Sequence, residues 1–275
     1  MSNPDHKHTA PSHPSQSGQG RLLLIPNTLD LGCVPEGAPV PDLQGVIPQG
    51  VIQAASRLTH WVAENAKTTR AFLKRVDAIS PLCAPLQQMD IQVLPRPAKG
   101  GQGLPPPGDK IWQSLLAPAL AGHDLGLISE AGLPGVADPG ADLVLAAHAA
   151  GVTVLPLSGP SSLILALAAS GLNGQSFAFV GYLPTDTAQR AQRIKTLEQT
   201  SSKLKQTQLV IETPYRNAAL WGALVEQLGP ETWLSVSCGL TLEAGWSQTR
   251  RVKQWRQTPL SFPENTPAVF SWLAA

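Results

Sequence analysis

Four glycine- and proline-rich segments hold most of the side chains suited to chemistry, and each follows a short apolar run. The densest is Ser129 to Gly140, with three glycines and two prolines in twelve residues. Glycine lacks a Cβ, so a ligand can come close to the main chain there. Glu130 and Asp138 give the loop a negative sign, which suits a cationic ligand such as a sulfonium or an ammonium. It is the wrong sign for a phosphate cradle, which wants exposed N–H groups and a lysine. A conformationally demanding turn with no ligand explains the same composition equally well.

Pro156 to Ser162 opens a helix, where free N–H groups and serine hydroxyls converge. That arrangement can hold a ligand carboxylate, or Ser158 or Ser161 can simply cap the helix. In Ile211 to Asn217, Glu212 ends an apolar run and Arg216 enters the first turn of a helix, where its charge opposes the dipole. A bidentate contact to phosphate or carboxylate would place it there, and so would a structural ion pair. In His60 to Arg70, Glu64 follows a strand-like run, and Asn65 or Thr68 can cap the next helix. His60 reads as a structural, hydrogen-bonded histidine.

Alternating strands and helices must position these loops. The periodicity predicts strands over Leu22–Ile25, His60–Ala63, Leu125–Ser129, Val152–Leu155, Ser176–Val180, Gln208–Glu212, Thr232–Ser237, Trp246–Arg250 and Ala268–Trp272. Helices are predicted over Val51–Leu58, Thr68–Val76, Lys110–Ala121 (despite Pro118), Ala141–Ala150, Pro160–Ser170, Asp186–Ser202 and Tyr215–Leu228. Pro95–Gly108 is a long Pro/Gly-rich loop. Helices between strands imply an α/β fold with mostly parallel sheets, and the late strands suggest antiparallel additions. A break near Leu157–Pro160 divides the chain into an N-terminal lobe, 21–157, and a C-terminal lobe, 158–275, with a ligand cleft between them. Residues 1–20 are polar and read as a disordered tail, whose His6, His8 and His13 form at most an adventitious metal site.

With 43% hydrophobic and 14% charged residues, the 275-residue chain can build a substantial core. A net charge of +1 argues against nucleic-acid binding by bulk charge, so an RNA partner needs a local basic patch. Two such clusters occur. Arg190, Arg193, Lys195, Lys203 and Lys205 face only Glu198, while Arg250, Arg251, Lys253 and Arg256 lie near Trp246 and Trp255. Either can track a phosphate backbone, with stacking from tryptophan, or be solvated surface. Three scattered cysteines read as reduced thiols, no metal spacing appears, and no run is long enough to span a membrane. Neither GxxxxGK[ST] nor a helix-opening GxGxxG is present, which argues against a nucleotide-binding protein.

Taken in order, the segments resemble the tetrapyrrole-methylase superfamily, and within it the branch of 16S ribosomal RNA cytidine 2′-O-methyltransferases. That branch carries a Ser-Asp-Ala-Gly-x-Pro-x-x-Ser-Asp-Pro-Gly segment, matched here by Ser129 to Gly140 with Glu130 for the first Asp and Ala137 for the second Ser. Its Pro-Gly-Pro-Ser step is matched by Ser158 to Ser161, its Ser-Gly-Leu-Pro step by Ser170 to Asn173, and its Phe-x-Gly-Phe-Leu-Pro step by Phe179 to Pro184. Its Tyr-Glu-Ser-Pro-His-Arg segment corresponds to Ile211 to Arg216. Its Ala-Glu-Asp-Thr-Arg segment corresponds loosely to Ala63, Glu64 and Arg70, with three residues inserted.

The resemblance implies two α/β lobes, S-adenosylmethionine (SAM) folded in the cleft between them, a cytoplasmic homodimer, and methyl transfer to a ribose of ribosomal RNA or the small ribosomal subunit. It implies cofactor contacts from Pro26, Glu130, Ala131, Gly132, Val136, Ser161, Ser162, Glu212, Pro267 and Ala268. Glu64 would take the acceptor proton, and Arg70 and Arg216 would position a phosphate. No membrane partner is implied. The departures fall on the acceptor side. The family's Pro-x-Pro-x-Gly-Asn loop is here Pro26 to Gly32, prolines follow at 35, 39, 41 and 48, and Pro95–Gly108 replaces a region where the family carries His and Asn. A same-fold methyltransferase of a small molecule and a non-catalytic SAM-binding, ribosome-associated module are the competing readings.

Overall fold

The computed structural model describes residues 18–30, 32–34, 37, 40–96, 105–106 and 108–275. The expectations for the tail's His6, His8 and His13, for Pro35 and Pro39, and for most of Pro95–Gly108 lie outside them.

Two five-stranded sheets organise the chain. The first runs β3-β2-β4-β1-β5 and is wholly parallel, from β1 (Arg21–Ile25), β2 (His60–Ala63), β3 (Asp90–Val93), β4 (Leu125–Ile128) and β5 (Thr153–Pro156). Its inner strands are buried on both sides, so they read as continuous apolar runs. Alternate residues face opposite helix layers. Leu23, Ile25 and Trp61 pack against α1 (Gln49–Ser56) and α2 (Ala66–Asp77). Leu22, Val62 and Leu127 pack against α3 (Lys110–Leu120) and α4 (Ala141–Ala149). The edge strand β3 escaped the sequence reading because its alternation, Asp90-Ile91-Gln92-Val93, is short and only half buried.

The second sheet runs β6-β7-β10-β8-β9. Its strands are β6 (Phe177–Phe179), β7 (Thr207–Glu212), β8 (Trp233–Cys238), β9 (Trp246–Arg251) and β10 (Ala268–Leu273). Only β6 and β7 are parallel, and the other three pairs are antiparallel. Across both sheets the pairings are mostly parallel, and the antiparallel additions fall in the late strands as expected. One face carries α5 (Ser162–Ser170), whose Leu163 and Leu167 meet Leu209 and Val269. The other carries α6 (Thr187–Leu204) and α7 (Asn217–Gln227), with Trp221 edge-on to Trp255 at 4.9 Å.

Several helix starts differ from expectation, with α1 and α2 each beginning two residues early, at Gln49 and Ala66. Ser161 is extended (φ −132, ψ 119), so α5 begins at Ser162 and not at Pro160. Pro214–Arg216 forms a 3-10 turn ahead of α7, because the residue before Pro214 is held in the extended region. A short helix, α8 (Val252–Trp255), was not expected.

Candidate active site

The carboxyl ends of β1, β2, β4 and β5 meet at one edge of the first sheet, where ligands collect in parallel α/β sheets. Three contacts fix the loops there. Asn27 donates its side-chain amide to the carbonyls of Ser129 and Glu130 (3.1 and 3.0 Å), and its backbone pairs with Gly132. The carboxylate of Glu64 accepts the backbone N–H of Glu130 (3.0 Å). Gly159 lies so close to Pro26 that a Cβ would sit 2.2 Å from the proline ring, which explains a glycine in that step. Beyond Asn27, Asp30 is buried and ion-paired to Arg75 (3.1 Å), while Arg75 also donates to the Pro41 carbonyl (2.9 Å). Leu29 projects from between these anchors.

The second sheet contributes the opposite wall. Ala268 at the start of β10 lies in register with Glu212 at the end of β7 and Cys238 at the end of β8. Glu212 is buried. One of its oxygens accepts the Thr213 N–H (2.9 Å), and the other pairs with Arg216 (2.9 Å). Arg216 is thus held by the structural ion pair, one of the two alternatives the sequence left open. Asn217, fully buried, donates to the Thr266 carbonyl (2.9 Å) and holds the approach to β10.

Between the walls lie two joined chambers of about 240 and 140 Å³ that share Leu29, Ala131, Ser162, Tyr182 and Ile211. The larger is bounded by Glu212, Leu240, Pro267 and Ala268, the smaller by Gly132, Val136, Asp138 and Ser161. Eight of the ten expected cofactor residues therefore line one cleft. Pro26 and Glu130 do not: Pro26 is covered by Gly159, and Glu130 lies behind the loop with its N–H on Glu64. Leu29 and Tyr182 line the cleft without having been named for it, and Asp138, expected only to give the loop its negative sign, lines it too.

The smaller chamber is acidic. Burial, with Glu64 and then Glu130 nearby, pushes the Asp138 carboxyl up to about 7. Tyr182 is raised by burial and by Asp138, Glu212 and Glu64. Ala137, beside Asp138, holds φ +64, a strained value for a residue with a Cβ.

Arg70 is not part of this cleft. Asn65 caps α2, so the helix begins at Ala66, two residues earlier than expected, and Arg70 faces outward into a separate hollow. Of the basic clusters, the late one is consumed internally. Arg250 and Arg251 cover Trp255 and Trp233, Lys253 pairs with Glu231, and Arg256 donates to the Val225 and Leu228 carbonyls. Trp255 is buried and cannot stack on a base. Glu198, expected to oppose the α6 cluster, instead accepts the Gly229 N–H and the Thr232 hydroxyl. Among the described residues no group of His, Cys, Asp and Glu is arranged to hold a metal, and no helix is long and apolar enough to cross a membrane.

No family model matches the chain. It is 39% identical over 158 residues to the ribosomal RNA small subunit methyltransferase I of Synechocystis sp., a match covering 56% of this chain and 53% of that protein. It is 40% identical over 127 residues to the protein of the same name from Mesorhizobium japonicum, covering 46% and 42%. The chain thus spans about half the length of the curated relatives it matches. The relatives' name, a methyltransferase of small-subunit ribosomal RNA, agrees with the ribosomal RNA branch to which the motifs pointed. Among solved structures, the methyltransferase CobJ superposes with a TM-score of 0.55 at 15% identity, covering 94% of this chain and 95% of that one. That likeness bears out the two-lobed α/β fold.

Proposed function

We propose that the chain is a cytoplasmic SAM-dependent methyltransferase that methylates a ribose 2′-oxygen of small-subunit ribosomal RNA. One observation carries the reading: segments of both lobes that the family resemblance assigns to the cofactor line a single continuous cleft. The lobes 21–157 and 158–275 clasp the cofactor, and the working unit is a homodimer.

The residues present fit such a cofactor. The larger chamber is mostly apolar, suited to an adenine, while the smaller one carries carboxylate and hydroxyl groups suited to an ammonium and a carboxylate. The joined volume falls within the range of about 300–1,000 Å³ usual for small-molecule sites. When bound, SAM supplies a methyl group on a sulfonium, a good leaving centre for in-line displacement.

The protein's own tasks are alignment, exclusion of water and proton removal. Ala131, Gly132 and Val136 hold the methionine and ribose parts, with Ser161 and Ser162 opposite. The Ser161 side chain makes no capping bond, which leaves its hydroxyl for a ligand. Glu212, Pro267 and Ala268 border the adenine, and Arg216 positions Glu212 through their ion pair. A ribose hydroxyl is a weak nucleophile, so its proton must go to a base. Glu64, the carboxylate to which the resemblance gives this role, and Asp138, on the cleft wall, supply that acceptor.

The test is transfer of labelled methyl from SAM to purified small ribosomal subunits lacking their native ribose methylations. Label on a ribose 2′-oxygen is expected. SAM binding with no label in RNA would sink the acceptor assignment and favour a small-molecule acceptor or a non-catalytic module.

A further inference from the structure

Helix α2 springs directly from the site. Glu64 bonds to the Glu130 loop, Asn65 caps the helix, and Thr69, Phe72, Leu73 and Val76 face the core. Lys67, Arg70 and Lys74 fall at i, i+3 and i+7, on one outward stripe. All three line one hollow of about 510 Å³, whose opposite wall, Leu86 and Gln87, carries no charge. The stretch Ser80 to Met89 lacks an acidic residue, and Asp77, at i+3 from Lys74 on α2, accepts the Leu82 N–H (3.0 Å). Among the described residues, none of the three cations has a carboxylate partner, and Arg70 donates only to the Ala66 carbonyl in its own helix. Arg75, next in sequence, turns the other way to Asp30. Arg96, exposed, follows β3 at the same edge of the sheet, since Val93 lies in register with Ala63.

In a chain of net charge +1, a cationic stripe without an ion pair, leading away from the candidate cleft, is an uneven placement of charge. Lys67 to Lys74 spans about 10 Å of helix, a length that matches successive phosphates of one strand. The hollow beside it leaves room for a ribose-phosphate backbone.

We infer that Lys67, Arg70 and Lys74 on α2 form a docking ridge for the phosphate backbone of a single-stranded stretch of the RNA acceptor. The inference rests on the methyltransferase reading and specifies how that substrate is held. The ridge grips backbone and not bases, so it sets affinity and register while the cleft selects the nucleotide.

The test compares the wild-type chain with K67E/R70E/K74E. A control, K195E/K203E/K205E, reverses the same number of charges between the middle of α6 and Lys205, the residue that caps its C-terminus. Binding of a 16S ribosomal RNA transcript is measured across a salt series, alongside SAM affinity, thermal melting and sedimentation. Each phosphate contact on single-stranded nucleic acid adds about 0.7 to the slope of log K against log salt. The ridge variant is therefore expected to lose roughly 2 from that slope, with SAM affinity unchanged and the control close to wild type. A neutral K67Q/R70Q/K74Q variant should show the same loss, which separates contact from repulsion and serves if the reversed form melts early. An unchanged slope in the ridge variants, an equal loss in the control, no RNA binding by the wild type, or conversion of a wild-type dimer to monomer would each overturn the ridge. The two readings fail separately. A wild type that methylates no ribosomal subunit yet loses slope in the ridge variants keeps the ridge and sinks the acceptor assignment. Normal methylation with an unaltered slope does the reverse.

Discussion

Ala137 holds a left-handed backbone angle that costs on the order of 1 kcal/mol or more, and the next side chain, Asp138, faces the cleft. Burial and two neighbouring carboxylates favour its protonated form up to about pH 7. If Asp138 receives the acceptor proton, it works when ionised, so the single-turnover rate should climb as pH rises through about 7 and level off above. Asp138→Asn should remove that limb and slow transfer by about a hundredfold or more, and SAM should bind more weakly, since Asp138 is the carboxylate of the smaller chamber. An intact limb in the variant would remove Asp138 from the proton path. The same shift has a stability sign. The folded state keeps a proton that the unfolded chain loses near pH 3.8, so the native state loses stability as pH rises from there to about 7. At pH 8, Asp138→Asn should be more stable than wild type by about 1 kcal/mol, allowing for solvent screening of a part-exposed group. Denaturant melts of both proteins at pH 5 and pH 8 would measure it. Gly132 and the acidity of Asp138 were legible beforehand because glycine density and charge are local signals. The service of Asn27 was not, since its amide reaches carbonyls more than a hundred positions away.

Elements place these residues through a few buried polar clips. Arg75, on the inner side of α2, ties Asp30 and the Pro41 carbonyl together and so steadies the loop that carries Leu29 into both chambers. Arg75→Met would strand a buried carboxylate, at a cost of about 3 kcal/mol, read by equilibrium unfolding. SAM should bind several-fold more weakly as Leu29 loses its support. Wild-type affinity in a stably folded variant would show that the loop needs no such anchor. Most helices and strands were readable from apolar periodicity. The elements that were missed, β3 and α8, are short, half-exposed and set by neighbours rather than by their own residues. The late basic cluster misled for a related reason: its charges look free in sequence, but tryptophan faces and main-chain carbonyls take them up on folding.

At the scale of the molecule, the cleft wall is shared between two sheets with separate cores, so a ligand that touches both walls should couple them. At a hundredfold excess over its Kd, SAM should stabilise the fold by about 2.7 kcal/mol. That is a rise in melting temperature of roughly 5–10 °C, in a single transition. A melting temperature unmoved by saturating SAM would show that the cleft is not its site. The two-sheet plan was visible in the alternation of strands and helices. The order of strands within each sheet was not, because pairing between distant segments leaves no local mark.

That order has a consequence for synthesis. The first sheet draws all its strands from residues up to Pro156, whereas the second places β10 between β7 and β8, two strands made well before it. During translation the N-terminal half can close its sheet early. The other half must wait with β7 and β8 apart, their inner edges unpaired, until Ala268–Leu273 has emerged. The cofactor wall at Glu212, Pro267 and Ala268 is thus assembled last. A nascent chain paused before that strand would carry a finished first lobe, half a cleft and two sticky edges, and the interval before Ala268 is when it most needs protection from aggregation.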